Sequence, residues 1–154
     1  NMSDPREIEI PEAHKAILAA NANGLISTLR KKDGLISTNP VSYVFEDDCV
    51  RISTLKNRIK HENLVANPTV TFCVVHQADP TRYVELRGHA TIENDPDRSF
   101  LRHQFRETSG GQEAPPDLDP PDAARIIVRI HPHQSSSPLL YGGRFTRPIG
   151  DETP

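Results

Sequence analysis

Tryptophan is absent from this 154-residue chain, aromatic residues make up 5%, and only 35% of residues are hydrophobic. One domain of this length buries a real but modest core, and so lean a composition points to apolar surface covered by a second copy. No apolar run is long enough to span a bilayer and no signal-peptide pattern is present. Cysteine is scarce too: Cys49 and Cys73 stand in no metal-binding spacing, and both fall in predicted strands. Two buried free thiols are expected, which suits a reducing cytoplasm. Gly-x-Ser-x-Gly does not occur, and neither cysteine lies in a basic, exposed helix start, so no activated nucleophile is indicated. A Gly-rich phosphate loop between strand and helix is also missing, which argues against a Rossmann fold. The net charge of −3 gives no general attraction to nucleic acid or an anionic membrane.

Positive charge is concentrated locally, around residues 51–61. The stretch Arg51-Ile52-Ser53-Thr54-Leu55 alternates with period two, placing Val50, Ile52 and Thr54 on one strand face and Arg51 and Ser53 on the other. A short turn and a helix follow, with Asn57 read as the N-cap and Asn67-Pro68 as the stop. Lys56, Arg58 and Lys60 crowd the start of a helix whose dipole is already positive there. Hydroxyls, backbone donors and fixed cations together make a phosphate cradle; a solvated basic turn would carry the same residues.

Along the chain, residues 1–10 read as a flexible N-terminus and 132–154 as a Ser- and Pro-rich tail around a domain spanning 11–131. Pro11 suits a first helical turn, with Ala13, Ile17 and Ala20 on one face, Ala16 beside them and Asn23-Gly24 as a left-handed stop. Residues 24–30 and 35–45 form a hairpin about Asp33-Gly34. Pro40 removes a ladder donor from its second strand and belongs at an edge or bulge. Strands are also expected over 49–55, 69–76, 83–93 and 124–130. Gly88 marks a bend or a close backbone approach. Asp95 and Pro96 open a third helix whose inner face is Phe100, Leu101, Phe105 and Gln104. Residues 109–122, rich in proline, read as a mobile loop. Leu139, Leu140, Tyr141 and Phe145 of the tail could dock on the body or a partner.

The run Ser53-Thr54, Arg58-x-Lys60-x-x-Asn63-Leu64-x-x-Asn67-Pro68 and the β-rich segment after it resembles the pyridoxamine 5′-phosphate oxidase-like (FMN-binding split-barrel) superfamily. Within that superfamily it is most similar to the actinobacterial flavin/deazaflavin oxidoreductase branch that uses coenzyme F-420. The resemblance runs from about Ala13 to Ile130. It implies a mostly β fold with helices: a six-stranded antiparallel split β-barrel with peripheral helices, working as a homodimer with cofactor sites at the subunit interface. It further implies an oxidoreductase moving hydride between F-420, or alternatively FMN, and a small organic acceptor. Implied cofactor contacts are Ser53, Thr54, Lys56, Arg58 and Lys60 at the phosphate, with Pro40, Val41 and Ser42 beneath the ring. Tyr83, by position, is a residue the second subunit could add.

No acid–base set is visible, as expected where a cofactor carries the chemistry. His131-x-His133 puts two imidazoles on one side of an extended segment, without a third ligand nearby, so no metal is expected. A non-catalytic FMN- or deazaflavin-binding or storage protein, and a haem-handling split barrel using His131 or His133, are the other readings.

Overall fold

The computed structural model describes residues 4–146. Helix α1 (Glu12–Ala19) precedes strands β1 (Asn23–Leu29), β2 (Ile36–Ser42), β3 (Val44–Glu46) and β4 (Cys49–Leu55). Helix α2 (Ile59–Ala66) leads to β5 (Thr69–Val75) and β6 (Tyr83–Asn94), and helix α3 (Ser99–Thr108) to β7 (Arg125–Ser136). The strands form one seven-stranded sheet in the order β2-β1-β5-β6-β7-β4-β3, and every pairing is antiparallel.

The expected single strand over 35–45 is two strands, which makes the count seven and not six. Tyr43 alone separates β2, at one margin of the sheet, from β3, at the other. A one-residue link spans at most about 7 Å, so the two margins must meet and the sheet must curl into a barrel. Tyr43 is buried; its hydroxyl donates to the Leu18 carbonyl and its ring meets Phe72 edge-on at 5.2 Å. Pro40 lies in marginal strand β2, where its missing N–H leaves no ladder bond broken.

Inside the barrel, alternate residues of five strands make one core, including Ile26, Ile52, Phe72, Val84, Leu86 and Val128. Helix α1 contributes only Ile17 and Leu18, and the alanines expected to share its inner face are exposed. Gly24 is not a helix stop but a β1 residue, where an added Cβ would lie 2.4 Å from the Phe72 ring. Outside the barrel, α3 covers β3, β4 and β7 through a smaller cluster of Val44, Phe100 and Ile127. Gln104 is buried there and Phe105 is only half-buried. This helix begins at Ser99, not at Pro96, because Arg98 takes a left-handed conformation; Asp95 still caps it, accepting from the Phe100 and Leu101 N–H groups.

Strand β7 does not end at Ile130 but runs on to Ser136, so the start of the expected tail belongs to the sheet. Residues 4–10, expected to be loose, lie against that extension: Ile8 N–H donates to the Pro132 carbonyl and Ile10 enters the core. Leu139, Leu140, Tyr141 and Phe145 are exposed; Tyr141 meets Phe145 edge-on and the Arg144 guanidinium lies over the Phe145 ring. Residues 147–154 of the tail lie outside the described residues.

Candidate functional site

The end of β4, the start of α2 and the loop before β7 surround a pocket of about 290 Å³. Ser53, Thr54 and Arg58 line it together with Asp119 and Arg125. Each is placed by an identifiable local cause. Beyond Arg51, which pairs with Val44, strand β3 has ended and one side of β4 is open. Gln104 reaches down from α3 to fill that gap, its Oε1 accepting the Ser53 N–H at 2.8 Å. That leaves the Ser53 hydroxyl to the pocket, 3.4 Å from an Arg125 nitrogen.

Asp119 anchors the far wall. Its side chain is 2% exposed, against 13% for Arg125, and the two form a fork with bonds of 2.8 and 2.6 Å. That fork, and behind it the charges of Arg98 and Arg58, hold the Asp119 carboxyl below the usual aspartate range. The 109–122 loop is thus joined near its end to the start of β7 by a charged pair.

Helix α2 starts one residue later than expected. Asn57 is not its cap: it adopts a left-handed φ of 66°, which asparagine tolerates, and its N–H donates to His61 Nδ1 at 3.0 Å. Arg58 is the N-cap residue and offers no side-chain cap. The first-turn N–H groups are thus left without a side-chain acceptor, beside a guanidinium and two hydroxyls. This donor set fits a phosphate-sized anion.

The other expected contacts are distributed differently. Lys56 is exposed, and its backbone N–H donates to the Ala124 carbonyl. Lys60 does not line the pocket; it is half-buried and desolvation pushes its ammonium below the ordinary lysine value. Pro40, Val41 and Ser42 of β2 pair with Leu25, Gly24 and Asn23 of β1 and do not line this pocket. Tyr83 starts the 12-residue β6, whose far end, Asn94, is the one joined through Ile126 to Thr54. Within one chain, then, Tyr83 and the phosphate corner lie at opposite ends of the barrel.

Asn63 of the quoted motif has a structural task. It is buried, donates to Thr28 Oγ1 at 3.2 Å and accepts the Lys31 N–H at 3.0 Å. It thereby fastens α2 to the β1–β2 hairpin, and between them lies a groove of about 530 Å³ lined by Arg30, Lys31, Lys32 and Ile59. Arg58 and Ile59 are consecutive, so the two hollows flank the same helix start.

Sequence reasoning missed Gln104 as a ligand of the β4 backbone, and it missed Asp119, Arg125 and Arg98 altogether. Asp119 and Arg125 meet only because the proline-rich loop doubles back, for which the chain carries no short-range signal.

A seven-stranded antiparallel barrel closed by one residue is a split barrel, and its anion-sized corner stands at a helix start. Residues 10–137 match the family described as Pyridoxamine 5′-phosphate oxidase, and the chain belongs to that family. Among solved structures it is similar to a protein named F-420 reductase, with 28% identity and a TM-score of 0.70 over 82% of this chain and 98% of that one. A conserved hypothetical protein from Mycobacterium tuberculosis shares the fold at 20% identity and TM-score 0.65, covering 89% of each chain. So does a pyridoxamine 5′-phosphate oxidase-related, FMN-binding protein from Nostoc punctiforme, at 14% identity and TM-score 0.56, over 80% of this chain and 77% of that one. No curated protein matches the chain. Among the described residues no helix is long and apolar enough to cross a membrane.

Proposed function

We propose that the protein is an oxidoreductase whose deazaflavin coenzyme F-420, or FMN as the second choice, anchors its phosphate at Ser53, Thr54, Arg58 and Arg125. The observation that carries this is the uncapped start of α2, with two guanidiniums and two hydroxyls around one pocket. The bound cofactor would supply hydride transfer to a small organic acceptor, while the chain holds it, orients it and excludes water. Arg58 offers a forked donor pair; Arg125 is part-neutralised by Asp119, so Arg58 carries most of the uncompensated charge.

The second hollow favours F-420 over FMN. With Arg30 paired to Asp33 and Glu62 also in the groove, Lys31 and Lys32 are, among the described residues, its unpaired cations past the start of α2, which suits a cofactor whose anionic tail continues beyond its phosphate. At about 290 Å³ the phosphate corner is at the lower limit of ligand pockets, roughly 300–1,000 Å³. It takes the phosphate, and the ring lies outside it, against a second subunit. Leu25 and Val75, 41% and 47% exposed on the outer face of the sheet, would be covered in such a homodimer. Pro40, Val41 and Ser42 lie beneath the ring in this reading, and Tyr83 acts across the subunit boundary. Both cysteines are free, in keeping with a reducing cytoplasm.

The test is titration of the protein with F-420 and with FMN, followed by an assay for acceptor reduction. Arg58→Ala is expected to cost about 1.5–3 kcal/mol of binding, or roughly ten- to a hundredfold in affinity. An unchanged dissociation constant removes Arg58 from the site, and failure of both cofactors to bind overturns the reading. Binding without turnover of any acceptor would leave a carrier. A concentration-independent monomer in sedimentation rules out the shared site.

A further inference from the structure

The extension of β7 past Ile130 brings together residues far apart in the chain. Register shifts between Arg87 and Gly88, so that Gly88 faces Pro132 and Arg87 faces Gln134, leaving His133 as the extra residue of a β-bulge. Gly88 makes the bulge possible: an added Cβ there would lie 2.0 Å from the His131 carbonyl oxygen. A bulge re-aims a side chain, and here the His133 ring reaches across to β6, its Nε2 2.7 Å from His89 Nδ1. The N-terminal segment, laid along the same strands, adds Asp4.

We propose that Asp4, His89 and His133 form a binding site for a divalent first-row transition metal ion of the zinc class. Each offers one ligand atom, all within 4.8 Å of one another. Bonds of about 2.0–2.1 Å set ligand atoms roughly 3.4 Å apart in a tetrahedron, so small side-chain rotations complete the arrangement. Two imidazoles 2.7 Å apart share one proton between facing lone pairs, and a metal ion replaces that proton while satisfying both. Asp4 Oδ2 accepts from Arg6 at 2.7 Å and retains a lone pair. Two nitrogens and one carboxylate select zinc, cobalt, nickel or copper over magnesium or calcium.

The surroundings are built to hold His89 in place. His131 stacks on it with ring centres 4.7 Å apart and planes 8° from parallel. Both nitrogens of His131 are engaged, Nδ1 with Glu7 and Nε2 with Thr91 Oγ1, so it is a wall and not a ligand. The fourth coordination position opens on a groove of about 400 Å³ lined by Arg6, Arg87 and Gln134. The sequence offered His131 and His133 as a pair lacking a third ligand; pairing of β6 with β7 and the path of residues 4–10 supply two.

The experiment uses the full chain without an added histidine tag, stripped with a chelator and titrated with ZnCl2 by calorimetry and with CoCl2 by visible absorption. One equivalent of Zn²⁺ per chain and a tetrahedral Co²⁺ spectrum are expected. His89→Ala and His133→Ala should each weaken Zn²⁺ binding by at least about a hundredfold and Asp4→Asn by about tenfold, since even outer contacts to metal ligands are worth 10–100-fold. Arg6→Ala, which removes a competing cation, should tighten it several-fold. His103→Ala, on α3 beside Glu46, should change nothing. Circular dichroism of each apo variant shows that it is folded, and His133→Gln repeats the test with a side chain of similar polarity. Absence of stoichiometric Zn²⁺ uptake by the folded wild type overturns the proposal, as does full affinity in folded His133→Gln and His133→Ala.

Discussion

Strand β7 carries charge chemistry at both ends, and the two ends solve the problem differently. At its start Arg125 is a permanent cation, almost out of solvent, matched by the nearly inaccessible carboxylate of Asp119. At its far end His131 and His133 are imidazoles, which can stay neutral and share protons with neighbours. A fixed charge removed from water must be compensated at once by another fixed charge. A titratable ring need not be, which leaves its lone pairs available. The first end therefore suits an anion held beside a surplus of guanidinium, and the second suits a metal ion.

Removing the compensation should separate the two ends most sharply. Asp119→Ala leaves Arg125 uncompensated and is expected to destabilise the fold by about 3–5 kcal/mol. Glu7→Gln at the other end should cost no more than about 1 kcal/mol; urea unfolding of both proteins measures the gap. Next in size is Gly88→Ala, which forces β7 away from β6 and should cost about 1–3 kcal/mol or more. A scan for the thermal midpoint checks it against Gly110→Ala, where φ is 72° with no neighbour within 4 Å and only about 1–2 kcal/mol of backbone strain is expected.

Acid titration gives a third, graded contrast. Arg125 keeps the Asp119 carboxyl below its ordinary value of 3.8, so at low pH the native state binds fewer protons than the unfolded one. The stabilisation from this pair is complete above the unfolded value and is lost as pH falls through the lower native one. Asp119→Asn should flatten that limb of the stability profile, measured by urea unfolding at a series of acid pH values. The smallest expected effect is at the second hollow. Lys31→Ala with Lys32→Ala should weaken F-420 by no more than about 1 kcal/mol per lysine, with the loss fading in high salt. FMN binding, read in the same titration, should be unaffected.

Much of the barrel was legible because period-two alternation reports which face of a strand is buried. The bounds of β4, the edge position of Pro40 and the crowding at Gly88 all follow from such local rules. What was hidden is long-range. Residues 35–45 show no break at Tyr43, since switching from one sheet margin to the other leaves the alternation intact. The Ser53, Thr54 and Arg58 part of the site is contiguous in sequence and could be named from it. Arg125, Asp119 and Gln104 reach the same corner through a loop and a helix whose return paths no nearby residue encodes. His89 likewise joins His133 only through strand pairing, which a sequence read segment by segment does not contain.

Tyr43 has a consequence for how this molecule can associate. Because that residue stitches the sheet's two margins together, and the exposed side of β2 is interrupted by Pro40, there is no uninterrupted rim of unpaired amides for an incoming strand to extend. These margins therefore give a second molecule little to build a shared, lengthened sheet on, and favour contact wall to wall, through side chains.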